Sequence, residues 1–306
     1  MKIGNGYGNT MNLDFLKYKK IYFIFSGALI LASLICLIVF GLKPGIDFTG
    51  GSILEIEYIE ERPSNQEIRE ALSNLDLGEI LVQPTEEKGV ILKMKDISED
   101  THQQVLERLN ETNKLEERRF ESIGPLIGQE LKQKTKIAII LSLIAIVLYI
   151  AWAFRKISRP IPSWQYGIAS LLALFHDVLI PIGIFSVLGK FYGVQITIPV
   201  IAALLTVLGY SINNVVVVFD RIRENLLKHV GTYQEIVNNS LNQTLTRSIN
   251  TSLTTLFVLV AIFFFGGVTL KYFALALILG ITVGTYSSIL LASPILVAWL
   301  KWRKKV

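Results

Sequence analysis

Residues 21–42 read IYFIFSGALILASLICLIVFGL, 22 consecutive positions without a charged side chain. At about 1.5 Å of rise per residue, a helix of that length crosses the ~30 Å hydrocarbon core of a bilayer. The pattern recurs at residues 137–154, 166–188, 196–219, 245–265 and 272–300, the fifth stretch opening on a polar turn near Leu245. The sequence therefore predicts six transmembrane helices. Composition agrees: the chain is 51% apolar and only 18% charged, with a mean hydropathy of +0.49, whereas soluble domains carry about 25% charged residues. The single cysteine, Cys36, lies within the first span, which excludes a disulfide framework. That span is too long for a signal-peptide core, and Gly41-Leu42-Lys43-Pro44 offers no small-residue cleavage site, so it reads as an uncleaved anchor.

The net charge of +5 conceals a division. Residues 43–134 hold 12 basic and 20 acidic side chains, a balance of −8, and the remainder holds 18 and 5, a balance of +13. An acidic insert in a basic membrane frame argues against nucleic-acid binding and speaks instead of topology. Lys17, Lys19 and Lys20 precede the first span. Arg155, Lys156 and Arg159 follow the second, Arg221, Arg223 and Lys228 follow the fourth, and Lys301, Arg303, Lys304 and Lys305 end the chain. The alternate short loops hold only Lys190 and Lys271. Because basic residues collect on the cytoplasmic side, both termini are expected there, in the cytoplasmic membrane of a bacterium. The expected division is a cytoplasmic tail over 1–20, the first helix over 21–42, an extracytoplasmic domain over 43–134 and helices two to six over 135–306.

The insert reads as a small α/β unit. Alternation over Ser52-Ile53-Leu54-Glu55-Ile56-Glu57-Tyr58 predicts a half-buried strand. Ser64 with Glu67 three residues on predicts a capped helix running to Leu75. Strands near 79–83 and 89–93 follow, then a helix after Ser98 with Val105 and Leu109 on one face, and a last strand near 119–123. The order βαββαβ is the ferredoxin-like pattern. Gly124-Pro125 breaks the chain before a helix over 126–134 that leads into the second span. The acidic surface reads either as a solvated face or as a surface for basic segments.

No soluble-enzyme signature is present: there is no G-x-x-x-x-G-K-[ST], no H-E-x-x-H and no C-x-x-C. Neither catalysis, cofactor nor metal is expected. The informative residues are polar groups inside the spans, because an ionisable side chain at mid-bilayer costs several kcal/mol unless paired or wetted. Asp177 stands near the centre of the third span beside His176; consecutive on a helix, the two point about 100° apart. Thr206, Tyr210, Asn213 and Asn214 form a polar stripe on the fourth span, and Arg247, Asn250, Thr251 and Thr254 one on the fifth. Such stripes serve either helix–helix bonding or ion passage. Gly280, Gly284 and Ser288 on the sixth span read as a close-packing face.

Several of these segments resemble the SecF proteins of the SecD/SecF family, over nearly the whole chain. Gly45-Ile46-Asp47-Phe48-Thr49-Gly50-Gly51 after the first span carries the most specific likeness. Ile123-Gly124-Pro125-Leu126-Ile127-Gly128 and Phe175-His176-Asp177-Val178 are similar, as are Gly209-Tyr210-Ser211-Ile212-Asn213 and Phe219-Asp220-Arg221-Ile222-Arg223-Glu224-Asn225. So are Leu241-Asn242-Gln243-Thr244-Leu245-Thr246-Arg247-Ser248 and Thr251-Ser252-Leu253-Thr254-Thr255.

The resemblance implies a half-transporter of the resistance–nodulation–division type. It would pair with SecD across a pseudo-twofold axis, join the SecYEG channel and, alongside SecA, use proton flow to draw unfolded preproteins outward. It also implies a departure. After Ser211-Ile212-Asn213 many of the family carry an acidic residue, a member of the proposed proton relay with the arginine that matches Arg247; here the position is Asn214. Relay members expected here are Asp177, His176, Tyr210, Asn213, Asn214, Arg247 and Thr251, with Asp220, Arg221, Arg223 and Glu224 marking the cytoplasmic end of the fourth span. Two rivals stand beside this reading. One is a lipid or small-molecule exporter on the same scaffold, which predicts an apolar pocket in the soluble unit. The other is a membrane-tethered chaperone without ion coupling.

Overall fold

The computed structural model describes residues 13–85, 87–155, 161–228 and 231–303, without the side chains of residues 268, 269 and 303. The tail through residue 12, and Lys156, Arg159, Lys304 and Lys305 of the charge pattern, lie outside the described residues, as does the Arg303 side chain. The chain divides into two units, residues 1–43 with 139–306, and residues 44–138.

In the first unit, six long apolar helices stand where six spans are expected. They are α1 (Lys19–Phe40), the apolar part of a helix that begins at Pro125, the helices Ser163–Tyr192, Ile198–Lys228 and Tyr233–Phe265, and the last span, Leu270–Trp302. About half of the most apolar stretch is buried within the chain in the third, fourth and sixth spans, against 11%, 6% and 17% in the first, second and fifth. The inner three thus form the core and the outer three cover it. Phe154, Tyr166 and Phe219 knit one end of this core, with ring centroids 5.2–5.9 Å apart. Gly280 lets the sixth span close on the fourth: a Cβ there would fall 2.2 Å from a Val207 methyl.

The second unit opens with the turn-like α2 (Ile46–Thr49), followed by β1 (Gly51–Tyr58), α3 (Asn65–Ala71), β2 (Leu81–Thr85) and β3 (Gly89–Met94). Then come α4 (Glu99–Thr112), β4 (Leu115–Ile123) and the start of α5 (Pro125–Ala153). The later helices are α6 (Ser163–Tyr192), α7 (Ile198–Lys228), α8 (Tyr233–Phe265), α9 (Val268–Ser287) and, after a π-helical turn at Ser288–Ala292, α10 (Ser293–Arg303). The sheet order is β2-β3-β1-β4, antiparallel throughout, as the ferredoxin-like pattern requires. Leu54, Ile56, Tyr58, Val90 and Leu92 face Ile68, Leu72, Val105 and Leu109 in one small core.

Three boundaries differ from the sequence reading. Helix α3 stops at Ala71, because the Ser73 hydroxyl donates to Glu70 O at 2.7 Å and offers the backbone a local alternative to another turn. Strand β4 begins at Leu115, pairing Glu116 and Glu117 with Glu57 and Ile56 across a bulge; the charges that hid it from an alternation search suit an edge strand. Helix α8 begins twelve residues before Leu245, at Tyr233, where Thr232 and Glu235 form a capping box.

Pro294 explains the π turn. It has no N–H for the carbonyl of Leu290 and its ring crowds that carbonyl, and the wider turn at Ser288–Ala292 accommodates both.

Candidate functional site

The seven-residue motif after α1 and the motif that starts α5 lock together. Gly50 has φ +72°, a conformation glycine alone adopts freely, and a Cβ on it would fall 2.8 Å from Pro125 Cα. A Cβ on Gly128 would in turn fall 2.8 Å from Gly50 N. Gly45 starts the turn, with Phe48 N–H donating to its carbonyl at 3.0 Å and Thr49 Oγ1 at 3.2 Å; Asp47 and Phe48 are half-buried. Gly51, at φ +122°, begins β1. Next to the turn, Ser52 Oγ accepts from Ile97 N–H at 3.1 Å and donates to Ser122 Oγ at 2.7 Å, and Ser122 donates to Asp96 at 2.6 Å. The glycine motif thus seats the end of the sheet on the first turn of α5.

In the membrane unit, Asp177 and His176 are fully buried at the middle of α6. Although consecutive, they meet: His176 Nδ1 stands 2.9 Å from Asp177 Oδ1. The second carboxylate oxygen accepts from Ser287 Oγ of α9 at 2.7 Å and from Ser211 Oγ of α7. Three donors from three helices converge on one carboxylate, as a buried carboxylate demands. His176 Nε2 has no hydrogen-bond partner among the described residues. Pro181, four residues on, cannot donate to the backbone carbonyl of Asp177. Sequence reading missed Ser211 and Ser287. Each is a small hydroxyl next to a flagged position, and only the helix faces identify them.

A second chain of hydroxyls runs alongside. Tyr210 Oη donates to Ser252 Oγ at 3.2 Å, and Ser252 meets Thr285 Oγ1 at 2.6 Å, linking α7, α8 and α9. The level of Tyr210 and Ser211 on α7 is therefore that of Ser252 on α8 and of Asp177 on α6. Arg247 lies five residues before Ser252, about 7.5 Å along its helix, and Asn214 three residues after Ser211, about 4.5 Å, toward the same α7–α8 connection. Yet they do not meet. Asn214 is buried, and its Nδ2 has no partner among the described residues. Arg247 is exposed, with no hydrogen bond or ion pair to its guanidinium among the described residues. Asn250, Thr251 and Thr254 are exposed beside it, as are Thr206 and Asn213 on α7. Thr251 Oγ1 returns to Arg247 O at 2.8 Å.

At the far end of α7 the charged motif pairs within itself. Arg221 meets Glu224 at 2.9 Å, and Arg223 stands 3.7 Å from Asp220. The buried Asn225 holds α7 to α8, donating to Ser240 Oγ at 2.9 Å and Gln243 Oε1 at 3.0 Å. Two further asparagines fasten the segment before α1: Asn238 and Asn242 accept from Phe15 N–H and Leu13 N–H, each at 2.9 Å, and donate back to Leu13 O. Their i, i+4 spacing on the first half of α8 was a readable signal.

A bundle of six apolar helices around a buried carboxylate–histidine pair, with an inserted ferredoxin-like unit, defines a multi-pass membrane protein. Residues 37–58 match the SecD/SecF GG motif, and residues 103–302 match the family described as protein export membrane protein SecD/SecF, C-terminal. Over 302 residues the chain is 42% identical to the protein translocase subunit SecF of Thermobaculum terrenum, covering 94% of each chain. It is also similar to the crystal structure of SecDF, a translocon-associated membrane protein from Thermus thermophilus, with a TM-score of 0.81 and 36% identity over 94% of this chain. SecDF in its super-membrane-facing form gives 0.67 at 35% identity over the full chain. The chain belongs to the SecF branch of the SecD/SecF family, a family of membrane transport proteins rather than enzymes. It spans about two-fifths of the SecDF chains it matches, 39% and 40%.

Proposed function

We propose that this chain is the accessory SecF subunit of a Sec translocase, pairing with SecD beside the SecYEG channel and SecA to couple proton motive force to export of unfolded preproteins. The observation that carries the reading is the exposed polar face of α8. Arg247, Asn250, Thr251 and Thr254 are polar and exposed on one face of the fifth span. An ionisable side chain inside a span is costly unless paired or wetted, so this face calls for a partner, and a second six-helix half would supply one. Solved SecDF, which the chain matches over about two-fifths of its length, accords with SecD as that half. In this reading Asp177, with His176, is the chain's own proton-accepting group, and Asn213, Arg247 and Thr251 line the path shared with SecD, with Tyr210 half-buried and Asn214 buried behind it. Residues 43–134 lie outside the cell, both termini inside, and Asp220, Arg221, Arg223 and Glu224 at the cytoplasmic surface.

A pocket of about 520 Å³ in residues 44–138 is lined by Glu60, Glu61, Arg62, Glu87 and Lys88, a charged lining unlike the apolar pocket that the lipid-exporter rival predicts. The test is a pull-down with cysteine cross-linking. Tagged chain is expected to copurify a SecD chain, and Asn250→Cys to cross-link to it. Copurification without a SecD chain, or cross-linking from Val260→Cys, exposed on the opposite face of α8, but not from Asn250→Cys, contradicts the proposal.

A further inference from the structure

The hydrogen bonds around the buried pair on α6 assign its proton to particular atoms. A carboxylate oxygen offers two lone pairs in its plane, and a neutral imidazole carries one N–H and one bare nitrogen. Asp177 Oδ2 has both positions taken, by the hydroxyls of Ser211 and Ser287. Ser287 Oγ also stands 3.2 Å from Gly284 O, but the carboxylate, at 2.7 Å, is the nearer acceptor. Gly284 lets α9 approach this closely: a Cβ on it would fall 3.2 Å from Ser211 Cβ and 3.4 Å from Asp177 Oδ2. A proton shared by the pair therefore lies on the 2.9 Å line between Oδ1 and His176 Nδ1.

Two arrangements place it there. In the first, Nδ1–H donates to the carboxylate and Nε2 is bare. In the second, Asp177 is a carboxylic acid donating to Nδ1, and the imidazole's own hydrogen sits on Nε2. The second strands a buried donor, because His176 is fully buried and its Nε2 has no hydrogen-bond partner among the described residues. The first uses the one N–H in a charge-assisted bond, the stronger kind, and the bond at one ring nitrogen sets the state of the other. Nearby helices bring no competing charge: residues 21–42, 198–219 and 272–300 hold no Asp, Glu, Lys or Arg. Their tyrosines are engaged elsewhere. Tyr210 of α7 bonds Ser252, and Tyr286 of α9, its ring centroid 6.1 Å from that of His176, bonds Ser26 and the carbonyl of Tyr22 on α1.

We propose that His176 Nε2 is the atom that takes up the proton, while Asp177 stays a carboxylate, its fixed counter-charge held by Ser211 and Ser287. This rests on the reading of Asp177 and His176 as the chain's proton-accepting pair, and it assigns the uptake to the imidazole rather than the acid. A hydronium ion supplies the proton: an N–H bond forms at Nε2, Nδ1–H is kept, water leaves, and the pair passes from a single negative charge to neutral. The new N–H is a buried donor without an acceptor until a neighbouring helix provides one, which gives proton uptake a means of shifting helix packing.

Nitrogen NMR of the full chain in lipid vesicles, with 15N in its histidine rings, tests the assignment. The chain has three histidines, so His102→Gln with His229→Gln leaves His176 as the single signal. In alkaline buffer Nδ1 is expected to be protonated and Nε2 bare, and acidification is expected to add the second N–H at Nε2. A protonated Nε2 with a bare Nδ1 in alkaline buffer, or no second N–H at any pH the fold survives, overturns the proposal. His176→Asn keeps an N–H for Asp177 but has no nitrogen to protonate. On acidification the unaltered chain is expected to take up one proton more than this variant; equal uptake overturns the proposal as well. None of these readouts involves SecD or export, so a failure of the proton-coupling reading, as full gradient-dependent export by Arg247→Met would show, is distinguishable from a failure at Nε2.

Discussion

Asn214 is buried with an amide nitrogen that finds no partner among the described residues, and Arg247, at nearly the same depth, is exposed. An aspartate at 214 would add a titratable group at that level of the bundle with little change in size. Protonating such a carboxylate, and so releasing a neighbouring guanidinium, is a two-state event of the kind that drives domain motion. Asn214→Asp is therefore expected to raise proton-motive-force-dependent export by this chain with its partner, measured as preprotein transport into vesicles across a pH series. An unchanged rate and pH dependence removes position 214 from the coupling path. Asp177 was legible in the sequence because an acid in an apolar run is expensive. Its partners Ser211 and Ser287 were not, because a hydroxyl in an apolar helix has the same appearance whether it bonds its own backbone or a neighbour's carboxylate. Which of Asn213 and Asn214 faces outward was equally hidden, since adjacent residues differ only in helix face and the face is chosen by the neighbouring helices.

At the scale of elements, capping chemistry is what the sequence states best. Ser64 accepts from Glu67 N–H at 3.3 Å and Glu67 accepts from Ser64 N–H at 2.7 Å, as the S-x-x-E spacing requires. The same T-x-x-E signal at Thr232 and Glu235 starts α8, and it was passed over because the polar turns that follow do not look like a span. Ser64→Ala is expected to lower the stability of the soluble unit by about 1 kcal/mol, read by hydrogen exchange of the α3 amides. Accepting Ser64's backbone N–H lowers the Glu67 carboxyl below its ordinary value of 4.5. With a depressed folded value the unfolded chain binds more protons, so this contribution is present above about pH 4.5 and is lost as the pH falls through the folded value. Unaltered α3 exchange in Ser64→Ala would show that the box contributes nothing. The glycine motif was legible as a motif, but its role was not: only the structure shows Gly50 and Gly128 packed at backbone distance, a contact between residues 78 positions apart in the sequence.

At the scale of the molecule, hydropathy alone fixed six spans, because length and apolarity suffice to cross a bilayer. The inner and outer positions of those spans follow from small residues and burial that hydropathy does not weigh. Orientation rests on the basic residues, and reporter fusions test it: a fusion at Asn113 is expected outside and one at Lys228 inside. An inside signal at Asn113 would reverse the assignment. The polar face of α8 connects orientation, partner and coupling, because a guanidinium within a span is tolerated only where a partner or water meets it. The most direct measurement is therefore export by the chain reconstituted with its SecD partner, comparing Arg247→Met with the unaltered pair in the presence and absence of a proton gradient. Loss of the gradient-dependent component, with expression and SecD pairing intact, is the predicted result; full gradient-dependent export by Arg247→Met would contradict it.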